Sequence, residues 1–290
     1  MDSFITILLQ KIQQEYTRPF PEWKYRYGIP PAKWKWIQKE CTTPSDFDTL
    51  RLRQQLLEKT KEKHGTNTLY ASCDYGSVCL FMDDGISKDD VPWELWGRIF
   101  RLFYQTKPFT VYLLAHTSPR QFPSHISHAI RPENINGGYT YPCRFDTIVI
   151  YRAEDATRVL IHELQHAMCL DNHNDDVDHI EANTEAWAEI IYTALLSKGK
   201  KTEWERLWNR QLAWIKEQNT TINRHMRSPT DFPWRYTLGK EQILREWSLW
   251  KSNSIHFSGN NLPTSSLRLT APPTLKQKED QGIPPTSIIL

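Results

Sequence analysis

RVLIHELQHAMCLDNHNDDVDHIEANTEAWAEII, Arg158 to Ile191, is the stretch that decides how this chain is read. Within it His162-Glu163-Leu164-Gln165-His166 has the HExxH spacing. Residues four apart share one face of a helix, so two imidazole nitrogens can be offered to one metal ion. Glu163 stands beside that face, where a carboxylate can take a proton from an activated water. Val159, Ile161, Leu164, Ala167 and Met168 supply an apolar face to bury. Glu154 and Asp155 are expected in the first turn, where acidic side chains suit the helix dipole.

A catalytic zinc usually takes three protein ligands. Downstream, Ile180, Thr184, Trp187, Ile191 and Leu195 recur at helical spacing. Glu185 of this second helix, with eighteen residues between it and His166, is the foremost candidate for the third ligand. Glu181, His173 and His179 are the others, and Glu181, Glu185 and Glu189 also fit a solvated acidic stripe. Glu189 lies one turn beyond Glu185, placed to accept the second N–H of a ligating histidine, most naturally His162.

HELQH followed by Glu185 resembles the gluzincin branch of the zinc metallopeptidases, over about residues 134 to 196. The metzincin pattern fits worse: Cys169 stands in place of its glycine and Asn172 in place of its third histidine. The resemblance implies an α+β, zincin-like fold, mostly helical, with a small mixed sheet against the HExxH helix. It implies one Zn2+ per chain on His162, His166 and Glu185, with Glu163 as general base and Glu189 supporting a ligand. It also implies an upstream edge strand that pairs with an extended peptide. Gly137, Gly138 and Tyr139 are the residues expected there, although Gly137-Gly138 equally suits a hairpin turn. A downstream Tyr or His often binds the oxyanion in that branch; Tyr236 and His225 are the candidates here.

The remaining sequence sets the frame. At 290 residues, 39% hydrophobic and rich in Trp, Tyr and Phe, the chain can bury a sizeable core. A net charge of +2 favours no particular partner. Five unclustered cysteines point to reduced thiols and an intracellular, cytoplasmic setting, with Cys73 and Cys79 as small core residues. The first residues, MDSFITILLQKIQQEY, make a poor signal peptide and a good amphipathic helix. No apolar run is long enough to span a bilayer.

Three segments are expected. The first, 1–67, is helical and aromatic. Residues 68–251 form the zincin-like domain, with strands at 69–82, 109–115 and 145–151 and helices at 93–104 and 202–218. The last, 252–290, is rich in Ser, Thr, Asn, Pro and Lys and reads as a flexible tail whose Ile288-Ile289-Leu290 tip offers a docking point. Residues 219–235 read as a loop, and Ile243, Leu244 and Trp247 mark a final helix.

Basic and aromatic residues alternate in 22–40, which raises single-stranded nucleic acid as a partner. A strand and turn with aromatics inward and cations outward accounts for the same pattern and is preferred. A peptide or protein substrate is the expected partner. Two rival functions are a catalytically silent zincin-like part of a larger assembly, and a nucleic-acid-associated protein acting through 22–40.

Overall fold

A computed structural model describes residues 2–172, 174–250 and 266–290. The candidate ligand His173 and the stretch 251–265 lie outside the described residues. The elements in chain order are α1 (Asp2–Thr17), β1 (Lys24–Tyr27), α2 (Pro31–Thr42), α3 (Leu52–Glu62), β2 (Thr68–Cys73), β3 (Gly76–Met82), α4 (Trp93–Phe103) and β4 (Phe109–Ala115). They continue with α5 (Pro132–Ile135), β5 (Gly138–Tyr139), β6 (Ile148–Ile150), α6 (Ala156–Ala167), α7 (Val177–Leu196), α8 (Lys201–His225), α9 (Leu238–Glu246) and α10 (Leu275–Asp280). Among the described residues the chain is thus mixed α and β, about 49% helical, with a small mixed sheet of six strands. No helix among the described residues is long and apolar enough to cross a membrane.

Two compact units share the chain. The first gathers Met1–Arg18, Arg120–Ile135 and Asp171–Pro272, and the second Pro19–Pro119, Asn136–Leu170 and Pro273–Leu290. The expected boundaries at 67 and 251 follow chain order, whereas both units are assembled from segments far apart in sequence.

The second unit contains the whole described sheet, in the order β1-β2-β3-β4-β6-β5. β1, β2 and β3 are antiparallel neighbours, β3-β4 and β4-β6 are parallel, and β5 closes the far edge antiparallel to β6. A parallel pair needs a crossover, and α4 supplies it between β3 and β4. Helices cover both faces. Cys79, Phe81, Tyr112, Leu114, Val149 and Tyr151 pack with Ile37, Leu52, Leu56 and Leu57 of α2 and α3. The alternate residues Val78, Leu80, Val111, Leu113, Ile148 and Ile150 point to the other face, also fully buried. Strands covered on both sides read as unbroken apolar runs, which is why FTVYLLA is buried throughout.

Residues 22–40 depart from the inward-facing expectation. Trp23 is buried, but all four residues of β1 are exposed, and 31–42 is the helix α2 rather than a turn. Pro31 starts that helix, where a missing N–H costs nothing. Trp34 and Trp36 rest against the core, the latter stacked on Tyr112 with ring centres 4.5 Å apart.

In the first unit α8 continues to His225, well past the expected end near 218. Its apolar face does not stop there: Ile222 is buried with Ile130, Ile135, Leu267 and Leu269. The last two residues correct a second expectation. The described part of the tail, 266–290, is packed rather than flexible. Leu267, Leu269, Ala271, Ile283, Ile289 and Leu290 are buried. Thr274 and Gln277 close a capping box at the start of α10. The Ile288-Ile289-Leu290 tip is occupied within its own chain. The Ile288 carbonyl accepts from Asp155 N at 2.9 Å, and the Ile289 carbonyl accepts from Thr157 N at 2.9 Å. These acceptors satisfy N–H groups at the start of α6 that no turn of that helix can reach.

Ile289→Ala is expected to lower the unfolding free energy by about 2–4 kcal/mol, from the lost burial and the cavity left behind. Urea unfolding of the two proteins measures it. A change under about 0.5 kcal/mol would mean that the tail packs without contributing to stability.

Candidate metal centre

α6 carries the HExxH residues at the level the sequence predicts, and every residue of the helix is buried. His162 and His166 project from adjacent turns, with Nε2 atoms 3.0 Å apart and ring planes at 71°. Two nitrogens on one tetrahedral zinc, each about 2.05 Å from it, lie about 3.3 Å apart. The pair therefore fits a shared cation with a shift of only a few tenths of an ångström. The donor set also suits zinc, which takes imidazole nitrogen readily.

The helix begins differently from expectation. Asp155 adopts a left-handed conformation, φ 64°, immediately before α6, and no acidic residue occupies the first turn. Its carboxylate instead meets Arg158 at 3.3 Å, with both groups buried. Thr157 adds a further tie. Its hydroxyl donates to the Ile289 carbonyl and accepts from Trp96 Nε1, both at 2.9 Å. Nothing in the local sequence announces these partners, because they come from residues 96 and 288–289.

Glu163 lies against the edge strand β5. A Cβ placed on Gly138 would come within 3.4 Å of Glu163 Oε1, 2.6 Å of Val159 and 3.0 Å of the Val149 carbonyl. Only glycine fits so near α6. Gly138 thus sits inside a strand paired with Ile150, and the hairpin-turn alternative for Gly137-Gly138 does not hold. Gly137 contributes its carbonyl, which accepts from Tyr151 N at 2.8 Å.

Tyr139 serves the core. Its ring is buried and stacked on Phe47 at 5.5 Å. Its hydroxyl accepts from Arg53 and donates to Glu40 Oε1 at 2.7 Å. Burial, the largest influence, drives the Tyr139 phenol well above its usual range. The Tyr139 side chain is thus engaged within the core.

The other end of α6 corrects the cysteine reading. Cys143 and Cys169 form a disulfide; Cys41, Cys73 and Cys79 are free. Spacing gave no sign of this pair, 26 residues apart, because the loop after β5 brings it together. With two of the five cysteines bonded, the cysteines do not point to an intracellular setting. Cys79 is the core residue expected, its thiol pushed up to about 12 by burial, while Cys73 is half-buried.

The first unit holds the acidic row of α7. Asp176 caps this helix by accepting from His179 N at 3.0 Å. Its second oxygen meets His179 Nδ1 at 2.8 Å, so this candidate ligand is already engaged. Glu185 and Glu189 are buried and Glu181 is partly so. Lys240 of α9 is itself 1% exposed and lies 2.8 Å from Glu189 Oε1 and 3.8 Å from Glu185 Oε2. Thr270 Oγ1 also donates to Glu189, at 3.3 Å. Sequence reasoning missed Lys240 altogether. Its only local sign is Gly239, which brings α9 so close to α7 that a Cβ there would touch Ala182 at 3.0 Å.

The two oxyanion candidates pack in the same unit. His225 is buried, stacked on Phe122, with Nδ1 at 3.1 Å from the His128 carbonyl. Tyr236 is partly buried against the Ile130–Ile135–Ile222–Leu267–Leu269 cluster. A cleft of about 400 Å³ at the start of α7 is lined by Asp176, Val177, Asp178, His179, Thr230, Trp234 and Arg235. Arg235 closes on Asp178 there at 2.6 Å.

Comparison with known proteins brings no match to a family model, a curated protein or a solved structure.

Proposed function

We propose that this protein is a zinc-dependent metallopeptidase of gluzincin type. One observation carries the reading: two buried histidines one turn apart on α6 have facing Nε2 atoms 3.0 Å apart, and Glu163 beside them lies against an edge strand. When bound, zinc polarises a carbonyl and lowers the pKa of water to about 7. His162 and His166 hold it. Glu163 takes the proton of the attacking water and hands it to the leaving amine. The outer edge of β5 offers main-chain groups to an extended peptide, and Gly138 keeps that strand close to Glu163. Tyr236 is the sequence candidate for steadying the oxyanion. The intact Glu163 favours turnover over a purely structural role.

The third ligand rests on sequence, and the resemblance assigns it to Glu185, with Glu189 in support. A second assignment, Glu181, is favoured by one observation: Lys240 stands 3.8 Å from Glu185, and a buried ammonium disfavours a dication on the same carboxylate. Elemental analysis separates them. Wild type is expected to carry about one zinc per chain. Under the first assignment Glu185→Ala loses most of it and Glu181→Ala keeps it; under the second the outcomes exchange. Full zinc in both variants would remove α7 from the site. No stoichiometric zinc in wild type would end the metallopeptidase reading.

A further inference from the structure

The Cys143–Cys169 disulfide is joined to the backbone of a proposed ligand. Cys169 follows α6 by two residues, and Cys143 lies in the connection from β5 to β6. The His166 carbonyl accepts from Cys143 N at 3.0 Å and from Cys169 N at 3.1 Å. Both cysteines have left-handed backbones, φ 62° and 54°: that of Cys169 is the usual end of a helix, with Leu170 N donating to the Gln165 carbonyl at 3.1 Å, whereas Cys143 stands in the loop after β5. Both are also exposed. The bond therefore clamps the last turn of the HExxH helix to the loop leaving the edge strand, and stands open to an incoming thiolate.

We propose that Cys143–Cys169 is a thiol–disulfide exchange site through which a dithiol reductant loosens the hold of His162 and His166 on their metal. A thiolate of the dithiol attacks one sulfur, the Cys143–Cys169 bond breaks, and a mixed disulfide forms. The second thiol of the dithiol attacks that intermediate. Two electrons and two protons pass to the protein, which is left with two thiols, while the dithiol leaves as its own disulfide. Released from the bond, the loop that carries Cys143 moves away, and the His166 carbonyl loses the Cys143 N–H, the donor that ties the end of α6 to that loop. Groups that orient a ligand from behind are typically worth about 10- to 100-fold in metal affinity. The effect on metal rests on the reading of His166 as a ligand; the exchange site and its clamp do not.

The test compares the full-length protein before and after treatment with a water-soluble phosphine, which takes its oxygen from water and leaves two thiols. Zinc affinity is read by competition with a chelator, and amide hydrogen exchange is read on the zinc-free protein. Reduction is expected to expose two new thiols, weaken zinc about 10-fold, and speed exchange at Cys143. Cys143→Ser should hold zinc as weakly as the reduced protein and ignore the phosphine. Cys73→Ser should respond like wild type. Should Cys143→Ser fail to fold, reduction of wild type still decides. Five free thiols in protein purified without reductant, or unchanged exchange after complete reduction, would overturn the proposal. Faster exchange in a protein that never takes up zinc would support the clamp and sink the metallopeptidase reading instead.

Discussion

Glu163→Gln is expected to keep about one zinc per chain and to lower peptide hydrolysis by on the order of 10²-fold or more, the usual worth of a general base. The substitution is close to isosteric, so the contact with β5 at Gly138 survives and the helix remains buried. The histidines keep their positions because their spacing belongs to the helix rather than to Glu163. What disappears is the ability to accept and return a proton, since an amide is a very poor base. A loss in kcat with little change in KM is therefore expected, because the group acts in the transition state. The measurement pairs elemental analysis with digestion of a peptide library by both proteins. Equal cleavage of any peptide by the two would show that Glu163 is not the base, whatever the zinc content.

Lys240→Met is expected to destabilise the first unit by about 3–5 kcal/mol, the range found when one member of a buried ion pair is removed. Lys240, Glu185 and Glu189 are each at most 2% exposed. Without the ammonium, two carboxylates one helical turn apart remain in a medium that screens them poorly. The partner change identifies the cause. Glu189→Gln made together with Lys240→Met removes the charge that was 2.8 Å from the ammonium, and the double variant should recover part of the loss. Lys240→Arg keeps the cation but lengthens it and should fall between. Urea unfolding followed by the fluorescence of the tryptophans gives all four values. If Lys240→Met cost less than about 1 kcal/mol, the three groups would not be acting as a buried charge cluster.

The sequence by itself determined the elements around the candidate site, because each is written in a local period. HELQH recurs at the helical repeat within an apolar face, so the helix and the meeting of His162 and His166 follow from residues 158–168 alone. Val78 to Phe81, FTVYLLA and IVI are unbroken apolar runs, and they are the inner strands of the sheet. The tertiary structure alone decided whatever depends on partners distant along the chain. Cys143 meets Cys169 only because β5 and β6 fold against α6. Residues 287–290 carry no period at all, yet two of their carbonyls complete the start of the same helix. Lys240 reads as one more surface cation until α9 packs on α7 and carries it among buried carboxylates. Composition made the tail look unable to bury a core. It misled because a few apolar residues suffice when the rest of the fold has already built the site they fill.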